Sequence, residues 1–189
     1  PWDETLSTLT DLVREGKVRY LGCSTNHTSG TGVWEKRLAA WEIVATLWIS
    51  DRQRFERFVS LQPPYSILRR AIETEHLPMT REFGIGNIVW SPLEGGWLTG
   101  KYRQGKPNPG DSPRAANWVG DVANPRFERR LQVVEKLAAH CDRQHLPLAE
   151  FALAWVLRNP DVTSAIIGPR TPAQLESNLR AASGRLNDE

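Results

Sequence analysis

The chain is 189 residues long, 40% apolar and 24% charged, which suits one sizeable hydrophobic core and excludes disorder as the default. Its 24 basic and 22 acidic residues leave a formal net charge of +2 with the two signs interspersed, so no basic stripe of the kind that tracks nucleic acid stands out and no nucleic-acid partner is expected. No apolar run approaches membrane-spanning length and no charged segment with a cleavage site opens the chain, so no membrane partner is expected either.

Leu6, Leu9, Leu12 and Val13 share one face of a helix over residues 5–15, which Gly16 is placed to end. Residues 18–23 then read as a short apolar strand finished by Ser24, Thr25 and Asn26. Residues 26–38 form an irregular connection, and Ala40, Ile43, Val44, Leu47 and Trp48 mark the next helix. Residues 58–62 are a second strand, closed by Pro63 and Pro64 because proline cannot donate to a ladder, which leaves Gln62 at its mouth. A helix over residues 71–83 precedes Gly84, and residues 86–90 are the third strand.

That third strand runs into Ser91, Pro92, Gly95 and Gly96, as a buried parallel strand does where it empties into a loop. Ligands of parallel α/β sheets sit beyond such strand ends. An aromatic followed by a hydroxyl and two glycines suits a planar ring joined to a phosphate, since the ring stacks on the indole and glycines let backbone N–H groups approach the anion. A core tryptophan followed by an ordinary turn is the competing reading of this stretch.

Residues 103–125 lack any period and are rich in Gly, Pro, Asn and Asp, as in a long loop. Phe127, Leu131, Val134, Ala138 and Cys141 recur at helical spacing, and a second helix opens near Pro147. Residues 162–168 are the fourth strand. Thr171, Pro172 and Gln174 then supply an N-cap, a first-turn proline and a capping-box partner for a helix running to about Ala182. Strands that read as fully buried and alternate with helices imply an α/β fold with a parallel sheet and right-handed crossovers. Four strand–helix units make half of an eightfold (β/α) barrel of the TIM type.

With these elements in place, the chain resembles the carboxy-terminal half of the aldo-keto reductase family over residues 1–189. Gly16-Lys17-Val18-Arg19-Tyr20-Leu21-Gly22-Cys23-Ser24 is similar to one family strand, and Gln62-Pro63-Pro64-Tyr65-Ser66 to another. Trp90-Ser91-Pro92-Leu93 with Gly95-Gly96-Trp97-Leu98-Thr99-Gly100-Lys101-Tyr102 resembles its strand-to-loop signature. Ala152 through Leu157, and Ile167-Gly168-Pro169-Arg170-Thr171 with Gln174 and Asn178, complete five matches in order.

The resemblance implies NADP(H) as cofactor and a small carbonyl substrate reduced to an alcohol. It implies that Ser24 and Gln62 orient the nicotinamide carboxamide and that Trp90 stacks on its ring. Ser91, Leu93 and Gly95 would cover the pyrophosphate, and Gly168, Arg170, Gln174 and Asn178 would hold the adenosine 2′-phosphate and adenine. A helix N-terminus beside Gly168 and Arg170 favours an anion on physical grounds as well.

The family's catalytic Tyr, Asp, Lys and His match no position here, so this chain alone is expected to be inactive and to need pairing with an amino-terminal half or with a second copy. Pro1 opens the chain in place of Met, which points the same way. Residues 26–38 look inserted relative to the family. The competing expectation is a non-catalytic nucleotide-binding or regulatory module.

Other residues carry less. Cys23 and Cys141 are too few for a disulfide framework and read as reduced, buried thiols of a cytoplasmic protein. His27, His76, His140 and His145 show no metal spacing and read as solvated. Glu73 and Glu75, two apart on a helix, cannot face one another as an acid–base pair. Gly30 and Gly32 lack the third glycine of a dinucleotide fingerprint, and Asn26 matches a glycosylation acceptor without a secretory signal to support it. Trp34, Trp41 and Trp48, seven apart, read as core or interface.

Overall fold

The computed structural model describes residues 1–25, 38–104 and 127–183. The expected insertion at 26–38 and long loop at 103–125 lie outside these residues, except for Leu38, Arg103 and Gln104. Two compact units are present: Pro1–Pro64 with Arg70–Trp90 and Pro160–Ser164, and Tyr65–Arg69 with Ser91–Asn159 and Ala165–Glu189.

In the first unit, α1 (Trp2–Arg14) buries Leu6 and Thr10. The Thr10 hydroxyl donates to the Leu6 carbonyl at 2.7 Å and accepts from the Glu56 N–H at 2.9 Å, so its burial leaves nothing unsatisfied. Gly16, at φ +72°, turns the chain out of the helix as expected. The strand begins later than its apolar run: β1 is Leu21–Ser24, and Tyr20 is exposed.

β2 (Phe58–Gln62) and β3 (Gly86–Val89) follow, with β4 (Val162–Ala165) completing a sheet in the order β1-β2-β3-β4. β1 pairs with β2, and β2 with β3, in parallel. Strands that add in sequence order on one side wind as a (β/α) barrel does, whereas a doubly wound sheet reverses direction at its middle.

One face of these strands is packed. Leu21 and Phe58 meet Leu6, Leu9 and Val13 of α1. Leu61 meets Ile43 and Leu47 of α2 (Ala40–Gln53) and Met79 of α3 (His76–Phe83). Each such aliphatic side chain contributes roughly 1.5–3 kcal/mol on full burial.

The other face departs from the expectation of fully buried strands: Gly22, Ser24, Val59 and Gln62 are exposed. An apolar run does not reveal how many faces its strand has covered. Pairing steps from Leu21↔Phe58 to Gly22↔Ser60, so β2 carries one extra residue, and Val59 is 45% exposed there. A Cβ on Gly22 would collide with the Ser60 hydroxyl at 2.4 Å, so that side chain would have to shift, and one on Gly86 would make a tight 3.1 Å contact with Thr163 Oγ1.

The expected helix over 71–83 is broken into a 3-10 turn, Ala71–Glu73, and α3. Pro78 explains the break, because it lacks an N–H and its ring crowds the carbonyl four residues earlier. Asn87 ties the neighbouring elements together: its Nδ2 donates to Thr80 Oγ1 at 2.7 Å and to the Asp161 carbonyl at 2.9 Å. Arg81 on α3 grips Asp161 through Nε at 2.8 Å and through Nη2.

The second unit is helical. α4 (Glu128–Arg143) buries Leu131, Val134, Ala138 and Cys141 against Trp97, Tyr102 and Leu148. α5 (Leu148–Arg158) and α6 (Pro172–Ser183) pack through Leu153, Ala154 and Ala181, and buried Glu150 accepts from Ser177 at 2.8 Å and from Arg180 Nη2 at 2.6 Å.

Candidate functional site

Three expected residues lie at adjacent strand ends of the first unit. Ser24 and Gln62 are register partners, both exposed, at the carboxyl ends of β1 and β2. Ser24 Oγ donates to the Gln62 carbonyl at 2.8 Å, so its one proton is committed and its lone pairs remain to accept from a ligand. Pro63 and Pro64 do not stop the pairing at once. The Pro63 carbonyl accepts from the Trp90 N–H at 3.0 Å, and Pro64 bridges Trp90 in parallel, since proline lacks a donor but keeps its acceptor. This fixes half-buried Trp90 beside the chain that carries Gln62.

Ser91, Leu93 and Gly95 share a loop of the second unit that continues into the 3-10 turn Glu94–Thr99. Its backbone is unusual: Ser91 at φ +55°, Glu94 at +48°, Gly95 at +65° and Gly96 at +101° all lie in the left-handed region. For the two non-glycine residues this costs of order 1 kcal/mol or more each, and such strain persists only where surroundings over-determine it.

The surroundings are a charge cluster that the sequence reading missed. Glu94 is 5% exposed; its Oε1 accepts from Arg69 Nη2 at 2.7 Å, and its Oε2 accepts from Ser66 Oγ at 3.1 Å. Arg130 Nη1 lies 3.7 Å from the same Oε1. Burial lowers the Arg130 pKa, Glu94 opposes that shift, and the neighbouring Arg69 adds to it. The available signal was a lone charge in the run Leu93-Glu94-Gly95-Gly96-Trp97-Leu98.

Gly168, Arg170 and Gln174 surround the start of α6, and all three are exposed. The expected cap is present: Gln174 N–H donates to Thr171 Oγ1 at 3.3 Å. The Gln174 side chain accepts from the Arg170 N–H at 2.7 Å, one residue earlier than an ideal capping box. Asn178, one turn on, is buried.

Among the described residues, a Cβ at Gly95 or Gly168 would meet nothing within 4 Å, so both main chains stand open to approach. Within the first unit the Ser24–Gln62 pair and the Trp90 indole suit an amide-bearing planar ring in kind, and within the second the open backbone at Gly95 and Gly168 with the Arg170 guanidinium suits an anion.

The sequence profile described as "Aldo/keto reductase family" matches residues 1–189. The chain belongs to the aldo/keto reductase family. An uncharacterized oxidoreductase, YrpG of Bacillus subtilis, is 36% identical over 189 residues, which are all of this chain and 52% of that protein. L-glyceraldehyde 3-phosphate reductase of Escherichia coli is 31% identical over 183 residues, 96% of this chain and 49% of that enzyme. A protein of Arabidopsis thaliana named "Probable voltage-gated potassium channel subunit beta" is 32% identical over 183 residues, 96% of this chain and 52% of its own. The chain thus spans about half the length of the curated relatives it matches. Its four parallel strands alternating with helices are consistent with part of this reductase family's barrel.

Several other readings change. His76 is buried rather than solvated, with Nε2 3.0 Å from the Leu38 carbonyl. His145 is exposed, and half-buried His140 lies 5.8 Å from the Phe151 ring; His27 lies outside the described residues. Glu73 pairs with Arg70 at 2.9 Å. Trp41 and Trp48 are exposed, which overturns the core half of the core-or-interface reading and leaves the interface half untouched, and Arg52 lies 4.6 Å over the Trp48 ring; Trp34, Gly30, Gly32 and Asn26 lie outside the described residues. Cys141 is buried but Cys23 only partly so, and burial pushes the Cys23 thiol up to about 11, keeping it protonated at neutral pH. Among the described residues no helix is long and apolar enough to cross a membrane.

Proposed function

We propose that the chain is the cofactor-binding part of an NADP(H)-dependent aldo-keto reductase that reduces aldehydes or ketones to alcohols. The observation that carries this reading is the register pairing of Ser24 with Gln62 at strand ends next to the one that presents Trp90. Ser24 would accept from the carboxamide N–H, Gln62 would orient the same group, and Trp90 would support one face of the ring. Ser91, Leu93 and Gly95 would meet the pyrophosphate; Gly168, Arg170, Gln174 and Asn178 would hold the 2′-phosphate and adenine. The cofactor, when bound, supplies a hydride for a carbonyl carbon.

What this chain does is bind and orient. The tyrosine that protonates the carbonyl oxygen, with its Asp, Lys and His supports, would come from residues outside 1–189. The exposed sheet face at Gly22, Val59 and Gln62 supports a need for pairing, either with those residues or with a second copy of the chain. Light scattering is expected to show a dimer or aggregate for residues 1–189 alone, and a monodisperse monomer would contradict it. Placement in the cytoplasm fits the two free cysteines.

The test is tryptophan-fluorescence titration with NADPH on wild type and on Gln62→Ala and Ser24→Ala, which remove no fluorophore. Saturable quenching weakened by both changes is expected. Binding indifferent to both would remove the nicotinamide end from these strands. The resemblance to the potassium channel subunit beta of Arabidopsis favours a second reading, a regulatory module that binds nucleotide without turnover. Carbonyl-dependent oxidation of NADPH by the chain joined to an intact family amino-terminal half separates the two.

A further inference from the structure

We propose that Glu94 is a positioning residue that locks the Ser91–Gly95 turn, left-handed at Ser91, Glu94 and Gly95, for the phosphates of a dinucleotide; this rests on the cofactor reading above. The clamp lies wholly within the second unit. Glu94 itself is at φ +48° and Ser91 at +55°, conformations that neither side chain favours. The Glu94 N–H donates to the Ser91 carbonyl at 2.9 Å, so the two strained residues are closed into one turn.

The carboxylate then anchors that turn. It accepts from Arg69 Nη2 at 2.7 Å and from Ser66 Oγ at 3.1 Å, with Arg130 Nη1 at 3.7 Å. Ser66 and Arg69 are themselves tied by reciprocal backbone bonds, the Ser66 N–H to the Arg69 carbonyl at 3.2 Å and the Arg69 N–H to the Ser66 carbonyl at 3.0 Å. The anchor is thus a closed tight turn, and Leu68 N–H donates to the same Ser66 hydroxyl at 3.2 Å. Gly95, next to Glu94, is the residue whose main chain stands open to a ligand, so the orientation of its N–H follows from how Glu94 is held.

The substitution Glu94→Gly separates positioning from bulk stability. Glycine takes a positive φ without penalty, which offsets part of the lost contacts, while the anchor to Ser66 and Arg69 disappears. Glu94→Gln keeps the length and the Ser66 acceptor but loses the charge.

In the full chain, hydrogen exchange without cofactor is expected to accelerate in both variants over residues 91–99 while the strands keep their protection. NADPH affinity is expected to fall roughly tenfold in Glu94→Gly and less in Glu94→Gln. If wild type binds NADPH and both variants bind it equally well while melting earlier, Glu94 is structural only and the proposal is overturned. If wild type does not bind NADPH, the cofactor reading fails, and exchange alone decides the clamp: acceleration confined to 91–99 upholds it, and unchanged exchange refutes it.

Discussion

Two loops of the second unit, residues 91–99 and 168–174, carry most of the proposed anion contacts, and they are held by opposite means. The first is built on strained backbone anchored by a buried carboxylate, with partners from Ser66, Arg69 and Arg130. The second is an exposed helix start with two local bonds, Gln174 to Thr171 and Arg170 to Gln174, within one turn. A loop closed by its own sequence neighbours is cheap to form and small in its effects. One closed by distant charges is sensitive to its partners, because each removal takes a charged or hydrogen-bonded contact from a buried carboxylate.

The largest way to break this contrast is Arg69→Ala. It deprives a carboxylate side chain that is 4% exposed of its shortest ionic contact, and it is expected to cost about 2–3 kcal/mol in chemical denaturation. A loss under about 0.5 kcal/mol would show that Ser66 and Arg130 suffice to hold Glu94. Next comes Gly95→Ala against Gly168→Ala. Both sites have open space, but only Gly95 has positive φ, at +65°, so alanine there is expected to cost about 1 kcal/mol and at Gly168 close to nothing. Equal thermal shifts for the two would contradict that difference. Thr171→Ala removes an exposed cap with a 3.3 Å bond and is expected to cost about 0.5 kcal/mol, read as reduced protection of the first turn of α6.

The same contrast explains what was legible beforehand. The cap at Thr171–Gln174 could be read because its partners sit three residues apart, where spacing alone fixes proximity. The strand ends at Ser24, Gln62 and Trp90 could be read because proline and small polar residues punctuate apolar runs. Glu94 could not, since nothing local says that Arg69 and Arg130 come to it. Nor could the open face of the sheet: Val59 and Leu61 are alike in sequence, yet one is 45% exposed and the other fully buried. The break before α3 has its local signal in Pro78, which the reading of one helix over residues 71–83 leaves out of account.

A joint in the first unit supplies the smallest effect and a check on the charge argument. The Arg81 guanidinium, through its hydrogen bonds first and its charge second, holds Asp161 below the usual carboxylate range. A depressed folded pKa means that the contribution is present above the unfolded pKa, about 3.9, and is lost as pH falls through the folded value. Melting curves of wild type and Asp161→Asn are therefore expected to differ slightly at neutral pH and to converge in acid. A gap that widens below pH 4 would contradict this.

The central claim, that this chain carries a site for a 2′-phosphorylated dinucleotide, is tested most directly by calorimetric titration of wild type and Arg170→Ala with NADPH and with NADH. Arg170 is exposed at the start of α6, and the account predicts tighter NADPH binding by wild type with most of that preference gone in the variant. Equal affinities for the two cofactors in wild type, or a preference that survives Arg170→Ala, would contradict it.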